Sequence, residues 1–265
     1  MKLMICGKGG SGKSTITALL ARQYTAEGKR VVVLDTDVSN VGLHRILGTA
    51  APPDLTGYFS GKRSMREAMR NARQNGIPRG TPLLGTWTFD TIPPEYLSEN
   101  RGVALVSVGK IRDATQFGKG RWVGLARQFL AGLVLAADDR VIIDTDAGVE
   151  HLARKMGEAC DAIIVVVDPS YESICLAATV SGMADQVHVP VYFVLNKTDV
   201  HSSAFLRNAL PDSFRIIADF GQDRAILGAG FTGCPLPAGN PAVMSVIEMI
   251  EGVHAAQSGC APLRT

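Results

Sequence analysis

The stretch LMICGKGGSGKSTITALLARQYTAE, residues 3–27, decides the fold. Its first four residues, Leu3 to Cys6, form an apolar run of strand length. The next eight, Gly7-Lys-Gly-Gly-Ser-Gly-Lys-Ser14, satisfy G-x-x-x-x-G-K-[ST], and Ser14 to Glu27 follow with helical periodicity. Between a strand and a helix, such glycines let the backbone N–H groups of Gly9 to Ser14 approach phosphate oxygens, and the helix N-terminus adds positive potential. Lys13 is spaced to reach the β and γ phosphates and Ser14 to offer its hydroxyl to Mg²⁺. Gly9, Gly10, Ser11, Gly12, Lys13, Ser14 and Thr15 are therefore expected to bind a nucleotide.

Outward from this loop, further apolar runs appear at Val31–Leu34, Val103–Val108, Val141–Ile143, Ala162–Val167, Val191–Leu195 and Phe214–Ile217. Most are continuous, which suits strands buried on both faces of a parallel sheet. Helical periodicity recurs at Trp122–Ala137, Tyr171–Gln186 and Ala242–Ala256. The alternation predicts an α/β fold, a doubly wound and mostly parallel sheet with helices on both faces. Residues 49–102, with Pro52, Pro53, Pro78, Pro82, Pro93 and Pro94, break the rhythm and read as an irregular insertion. With no repeat and no Gly/Ser linker, a single domain over 1–265 is expected.

Two acidic segments follow apolar runs. Asp35 and Asp37 lie two apart, so they leave a strand end on one face, where one of them can orient a water for phosphoryl transfer. Asp144 ends Val141-Ile-Ile-Asp, the generic Walker B arrangement, in which the carboxylate holds a water of the Mg²⁺ shell.

Lys8, directly after the first glycine, makes the loop resemble the deviant Walker A sequence G-K-G-G-x-G-K-[ST] of the MinD, ParA and nitrogenase iron protein superfamily. The resemblance implies that Lys8 crosses to the partner subunit's ATP in a homodimer formed on ATP binding. It also implies that Asp37, with Asp35 supporting it, orients the attacking water and that Asn196, in Val194-Leu-Asn-Lys197, reads the adenine edge. Asp144-x-x-Ala-Gly-x-Glu150 resembles MinD. Glu150-His151 with Arg154, and Val165-Val-Val-Asp-Pro-Ser-Tyr-Glu-Ser173, resemble the carbon monoxide dehydrogenase accessory ATPases, CooC. Lys8, Lys13 and Asp37 are thus the expected catalytic residues, and Ser14, Asp37 and Asp144 the expected Mg²⁺ ligands, partly through water. The implied activity is an ATPase switch serving maturation of a client metalloenzyme. The alternative is a positioning or partition ATPase of the MinD or ParA type. A kinase or ligase for a small molecule fits Lys8 less well.

CooC-type nickel chaperones carry a C-x-C pair where this chain has Arg121 and Val123. Cys6, Cys160, Cys175, Cys234 and Cys260 show no C-x-C or C-x-x-C spacing, and the five histidines show no H-x-x-x-H. Tight binding of Ni²⁺ or Zn²⁺ is therefore not expected.

Composition sets the remaining bounds. In 265 residues, 46% are hydrophobic and 20% charged, as in globular proteins, which excludes disorder and coiled coil. No apolar run approaches the ~18 residues of a membrane span, and no secretory signal is evident, so a cytoplasmic location is expected. The net charge of +2 makes nucleic acid an improbable partner. Lys62, Arg63, Arg66, Arg70, Arg73 and Arg79 form a local basic segment, either a solvated face or a dock for an acidic client. Met244, Ile247, Ile250 and Val253 form an apolar stripe near the C-terminus. Its polar face carries Glu248 and Glu251, which suits packing on the sheet rather than anionic lipid.

Overall fold

The computed structural model describes residues 1–60, 65–77, 81–83, 85–110, 119–147 and 159–257. Lys62, Arg63, Arg79, Glu150, His151, Arg154 and Cys260 lie outside the described residues, as do the side chains of Arg66, Arg73 and Arg121.

The apolar runs become β1 (Lys2–Gly7), β2 (Arg30–Asp35), β4 (Val103–Ser107), β5 (Asp139–Asp144), β6 (Ala162–Val167), β7 (Val191–Thr198) and β8 (Ile216–Gly221). A short β3 (Ser98–Asn100) completes an eight-stranded sheet of order β3-β4-β2-β5-β1-β6-β7-β8. Every neighbouring pair is parallel except β3 with β4. Alternate residues of one strand feed two cores. Leu3 and Ile5 pack with Leu20 and Tyr24 of α1 (Lys13–Ala26) and with Val246 of α9 (Pro241–Gln257). Met4 and Cys6 pack on the other face with Phe129 of α5 (Lys119–Gly132), Val180 of α6 (Tyr171–Val187) and Leu206 of α7 (Val200–Ala209). The doubly wound fold is as the continuous apolar runs predict.

Four details differ from the sequence expectation. The last strand spans Ile216–Gly221 rather than Phe214–Ile217; Phe214 lies in the turn before it, stacked on Phe193 (centroids 4.1 Å apart). Asp219 within that strand is satisfied by Thr198, Ser203 and Arg207. Two polar-rich or short helices, α7 and α8 (Arg224–Thr232), had no periodicity long enough to read. Their starts are set by Asp199 and Asp223, whose carboxylates accept N–H bonds of the first turn. The segment 49–102 contains α3 (Gly57–Ser60), α4 (Met65–Gln74) and β3, with α2 (Leu43–Leu47) just before it. In α9 the buried face is Val243, Val246, Ile247 and Ile250, while Met244 is half exposed; Glu251 pairs with Arg140 of β5 at 2.7 Å instead of facing water. Among the described residues no helix is long and apolar enough to cross a membrane.

Candidate functional site

The loop after β1 opens at the sheet's C-terminal edge, where the chain passes from one side of β1 to the other, the place where open α/β sheets bind ligands. Gly10 and Gly12 take φ of +78° and +102°, the left-handed region that favours glycine. At Gly12 space matters as well: a Cβ there would lie 2.1 Å from Asn196 Nδ2. Gly12→Ala is therefore expected to displace the loop and cut nucleotide affinity at least about tenfold, measured by calorimetric titration.

Asn196 Nδ2 donates to the Ser11 carbonyl at 2.7 Å and Lys197 Nζ to the Gly10 carbonyl at 2.6 Å, so the end of β7 braces the loop. Lys13 is buried, with Nζ donating to the Lys8 carbonyl at 3.0 Å. Lys8 itself turns away from the loop. Its Nζ donates to Ser170 Oγ at 3.1 Å and lies 3.7 Å from Asp168 and 3.6 Å from Glu172.

The carboxylates separate into two roles. β5 lies between β1 and β2, so Asp144, not Asp35, is the residue beside the loop. Ser14 Oγ donates to Asp144 Oδ2 at 2.6 Å and Thr17 Oγ1 to its Oδ1 at 3.4 Å. Burial, then the like charge of Asp35, pushes the Asp144 carboxyl up to about 7, against the Ser14 hydrogen bond and Lys13. Asp37 lines the cleft, its Oδ1 accepting from Ser39 N (2.9 Å), Ser39 Oγ (2.6 Å) and Asn40 N (3.2 Å). Asn40 Nδ2 in turn donates to Ser14 Oγ at 2.7 Å.

Asp35 does not share the cleft. It is buried and binds Lys110 Nζ at 2.6 Å, burial holding its carboxyl up at about 6 despite that lysine. The expectation that Asp35 and Asp37 act from one face fails because the chain turns after β2: Thr36 is pinned to the Asp144 carbonyl through its N–H (2.9 Å) and hydroxyl (2.8 Å). Lys110, a lone lysine after an apolar run, carries no signal in the sequence.

A buried carboxylate raised this far makes a testable difference to stability. Its folded pKa lies above the ordinary 3.8, so stability is lost as pH rises through about 7. In nucleotide-free, Mg²⁺-free protein, Asp144→Asn is expected to raise the thermal midpoint by several degrees at pH 8, with a smaller difference at pH 5.

The cleft beside these groups measures about 720 Å³. Its phosphate end is Gly9 to Thr15 with Asp37, and its far wall is Asn196, Lys197, Phe220 and the 221–223 turn, closed by Leu227 and Phe231 of α8. A phosphate loop at a parallel strand end, joined to a cleft with room for a base, defines a P-loop nucleotide-binding protein. The chain belongs to the CobQ/CobB/MinD/ParA nucleotide-binding domain family, whose profile matches residues 3–228.

Among its relatives, an uncharacterized ATP-binding protein of Methanocaldococcus jannaschii is 37% identical over 94% of this chain and 99% of its own. The carbon monoxide dehydrogenase accessory protein CooC of Rhodospirillum rubrum is 28% identical over 88% of both chains. In fold, the chain is similar to the septum site-determining protein MinD of Pyrococcus horikoshii in its Mg-ADP complex, with TM-score 0.67, 16% identity, and 97% and 98% of the two chains covered.

Proposed function

We propose that this protein is an ATP-dependent dimerising switch that hydrolyses Mg-ATP to drive maturation of a metalloenzyme of the carbon monoxide dehydrogenase kind. The observation that carries the reading is the meeting of Lys13, Ser14 and Asp37 at one cleft, with Asp144 buried behind Ser14 and bonded to its hydroxyl, in a chain alignable with CooC along 88% of its length. The backbone N–H groups of Gly9 to Thr15 bind the phosphates, and Lys13 neutralises the β and γ oxygens. Ser14, Asp37 and Asp144 offer a hard cation the oxygen donors it prefers: Asp144 is bonded to the Ser14 hydroxyl, and Asp37 is tied to it through Asn40, so they fit Mg²⁺. When bound, that ion would neutralise phosphate charge. Asp37 orients the water, and the braced Asn196 reads the adenine edge with the amide capacity left beyond its bond to Ser11. The described chain would act as one domain.

The Lys8 side chain turns away from its own loop, and its ammonium sits among Ser170, Asp168 and Glu172. On the proposed reading it leaves this acidic seat for the partner's ATP when two copies close. ATP should then convert monomer to dimer in sedimentation, and Lys8→Ala should lose that response while still binding nucleotide. A Lys8→Ala protein that dimerises and hydrolyses normally rules the assignment out.

The switch is proposed to work without carrying tight Ni²⁺ or Zn²⁺. Val123 lies within α5 and packs on the core, and Cys6 is buried, its thiol pushed up to about 12, where it remains protonated and a poor ligand. Cys175 is exposed on α6 and Cys234 is exposed in the loop after α8. Anaerobic equilibrium dialysis should find no stoichiometric metal; about one per dimer, lost on cysteine substitution, would overturn this.

The positioning or partition reading draws support from the MinD-like fold. The two are separated by trapping partners with ATP on Asp37→Asn protein: recovery of a metalloenzyme favours maturation, and recovery of a membrane or DNA factor favours positioning. The basic segment 62–79 is the proposed client dock.

A further inference from the structure

Lys110 stands outside the nucleotide cleft yet grips the segment that carries Asp37. Its Nζ donates to Asp35 Oδ2 at 2.6 Å and to the Asp37 backbone carbonyl at 2.5 Å. The lysine side chain is 13% exposed and the aspartate 4%. An ion pair this buried returns little net stability, since desolvation of both charges offsets their attraction. Its second bond, to the Asp37 carbonyl, fixes the peptide from which the Asp37–Asn40 turn departs.

The lysine is itself held before it reaches out. Its N–H faces Asp54 Oδ2 at 3.4 Å, and Ser107 Oγ donates to Asp54 Oδ1 at 2.9 Å. The Val108 N–H donates to the Asp35 carbonyl at 2.9 Å. Gly109 packs so closely on Trp122 of α5 that a Cβ there would come within 2.7 Å of the indole nitrogen. The ammonium thus extends from a backbone anchored to β2, to Asp54 and to α5. On its far side lies a separate cavity of about 190 Å³, lined by Asp35, Asn40, His44, Asp54 and Ser107 among others.

The turn after β2 has four other anchors: Thr36 to the Asp144 carbonyl of β5, the Asp37 N–H to Asp35 Oδ1 at 3.1 Å, the Asp37 carboxylate to Ser39 and Asn40, and Asn40 to Ser14. Thr36 and Asn40 hold the two ends. The carbonyl of Asp37, between them, is held by Lys110. Without that bond the Asp37 carbonyl loses its anchor, and the turn, with the carboxylate that its own hydrogen bonds hold, can shift as a unit relative to the γ phosphate.

We infer that Lys110 is a positioning residue for hydrolysis, holding the Asp37 peptide so that the carboxylate faces the attacking water. The inference rests on the proposed role of Asp37. Misplacement of a catalytic group by about 1 Å costs roughly 100-fold in rate, while the phosphate loop that binds ATP is untouched. Lys110→Met should therefore lower kcat about 100-fold and leave KM and the ATP Kd within about threefold of wild type.

A second variant separates positioning from charge balance and covers the case in which Lys110→Met strands a buried Asp35 charge and fails to fold. Asp35→Asn/Lys110→Met removes both charges. It should fold, bind ATP and remain as slow as expected for Lys110→Met, because the carbonyl contact is still missing. Recovery of wild-type kcat in the double variant would show that Lys110 serves only as the counter-ion of Asp35 and would overturn the inference. So would a single variant hydrolysing within threefold of wild type, or one whose loss lies in KM alone. Wild-type protein that binds ATP without hydrolysing it defeats the proposed function instead, which keeps the two failures distinct.

Discussion

Lys13→Ala is expected to lose ATP binding by about 100-fold or more and hydrolysis with it. Lys13 is buried in the free protein, so its charge is already desolvated and aimed, and no folding step is needed before it meets phosphate. Its present acceptor is a neutral carbonyl, that of Lys8, at 3.0 Å. Exchanging this for phosphate oxygens turns a contact between an ammonium and a dipole into one between opposite charges, worth about 3 kcal/mol, or roughly 100-fold in Kd. Alanine also leaves the carbonyl of Lys8 without this donor. Isothermal titration with ATP and with ADP tests the point: affinity for both should collapse, and undiminished binding would remove Lys13 from the phosphate site.

Asp37→Asn should give the opposite split, with ATP held at near wild-type affinity and hydrolysis slowed by about 100- to 1,000-fold. The substitution isolates chemistry from structure because the three bonds that shape the turn all end on one acceptor, Oδ1, from Ser39 N, Ser39 Oγ and Asn40 N. Asparagine keeps a carbonyl Oδ1 for them. What it loses is the negative charge and the second carboxylate oxygen, the groups proposed to orient water. Single-turnover phosphate release alongside equilibrium ATP binding measures both quantities. Equal losses of affinity in Asp37→Asn and Lys13→Ala would end the distinction between them.

Much of this site is legible along the chain because its parts are local. The G-x-x-x-x-G-K-[ST] spacing places backbone N–H groups, lysine and hydroxyl within one strand-loop-helix unit, and no distant residue is needed to see it. Asp144 is legible for the same reason, as the end of a buried apolar run. The sheet's alternation was legible because strands buried on both faces admit few polar residues. Helices α7 and α8 escaped because they are short, with α8 burying none of its side chains fully. Along the chain Asp35 and Asp37 form one strand-end pair, but Thr36 bonding to the Asp144 carbonyl turns the chain and divides them between a cavity and the cleft.

By itself, then, the chain's order of residues determined the fold class and the phosphate loop. These follow from short-range periodicity and from spacing within single elements, where backbone geometry leaves little choice. Tertiary structure alone decided which groups touch. It put β5 between β1 and β2, set Asn196 and Lys197 against the loop from 185 and 187 residues away, and seated Lys8 among Ser170, Asp168 and Glu172. It also carried Lys110 across 75 residues to Asp35. Strand order in a parallel sheet is set by how helices cover its two faces, a long-range packing outcome that leaves no mark on any one segment.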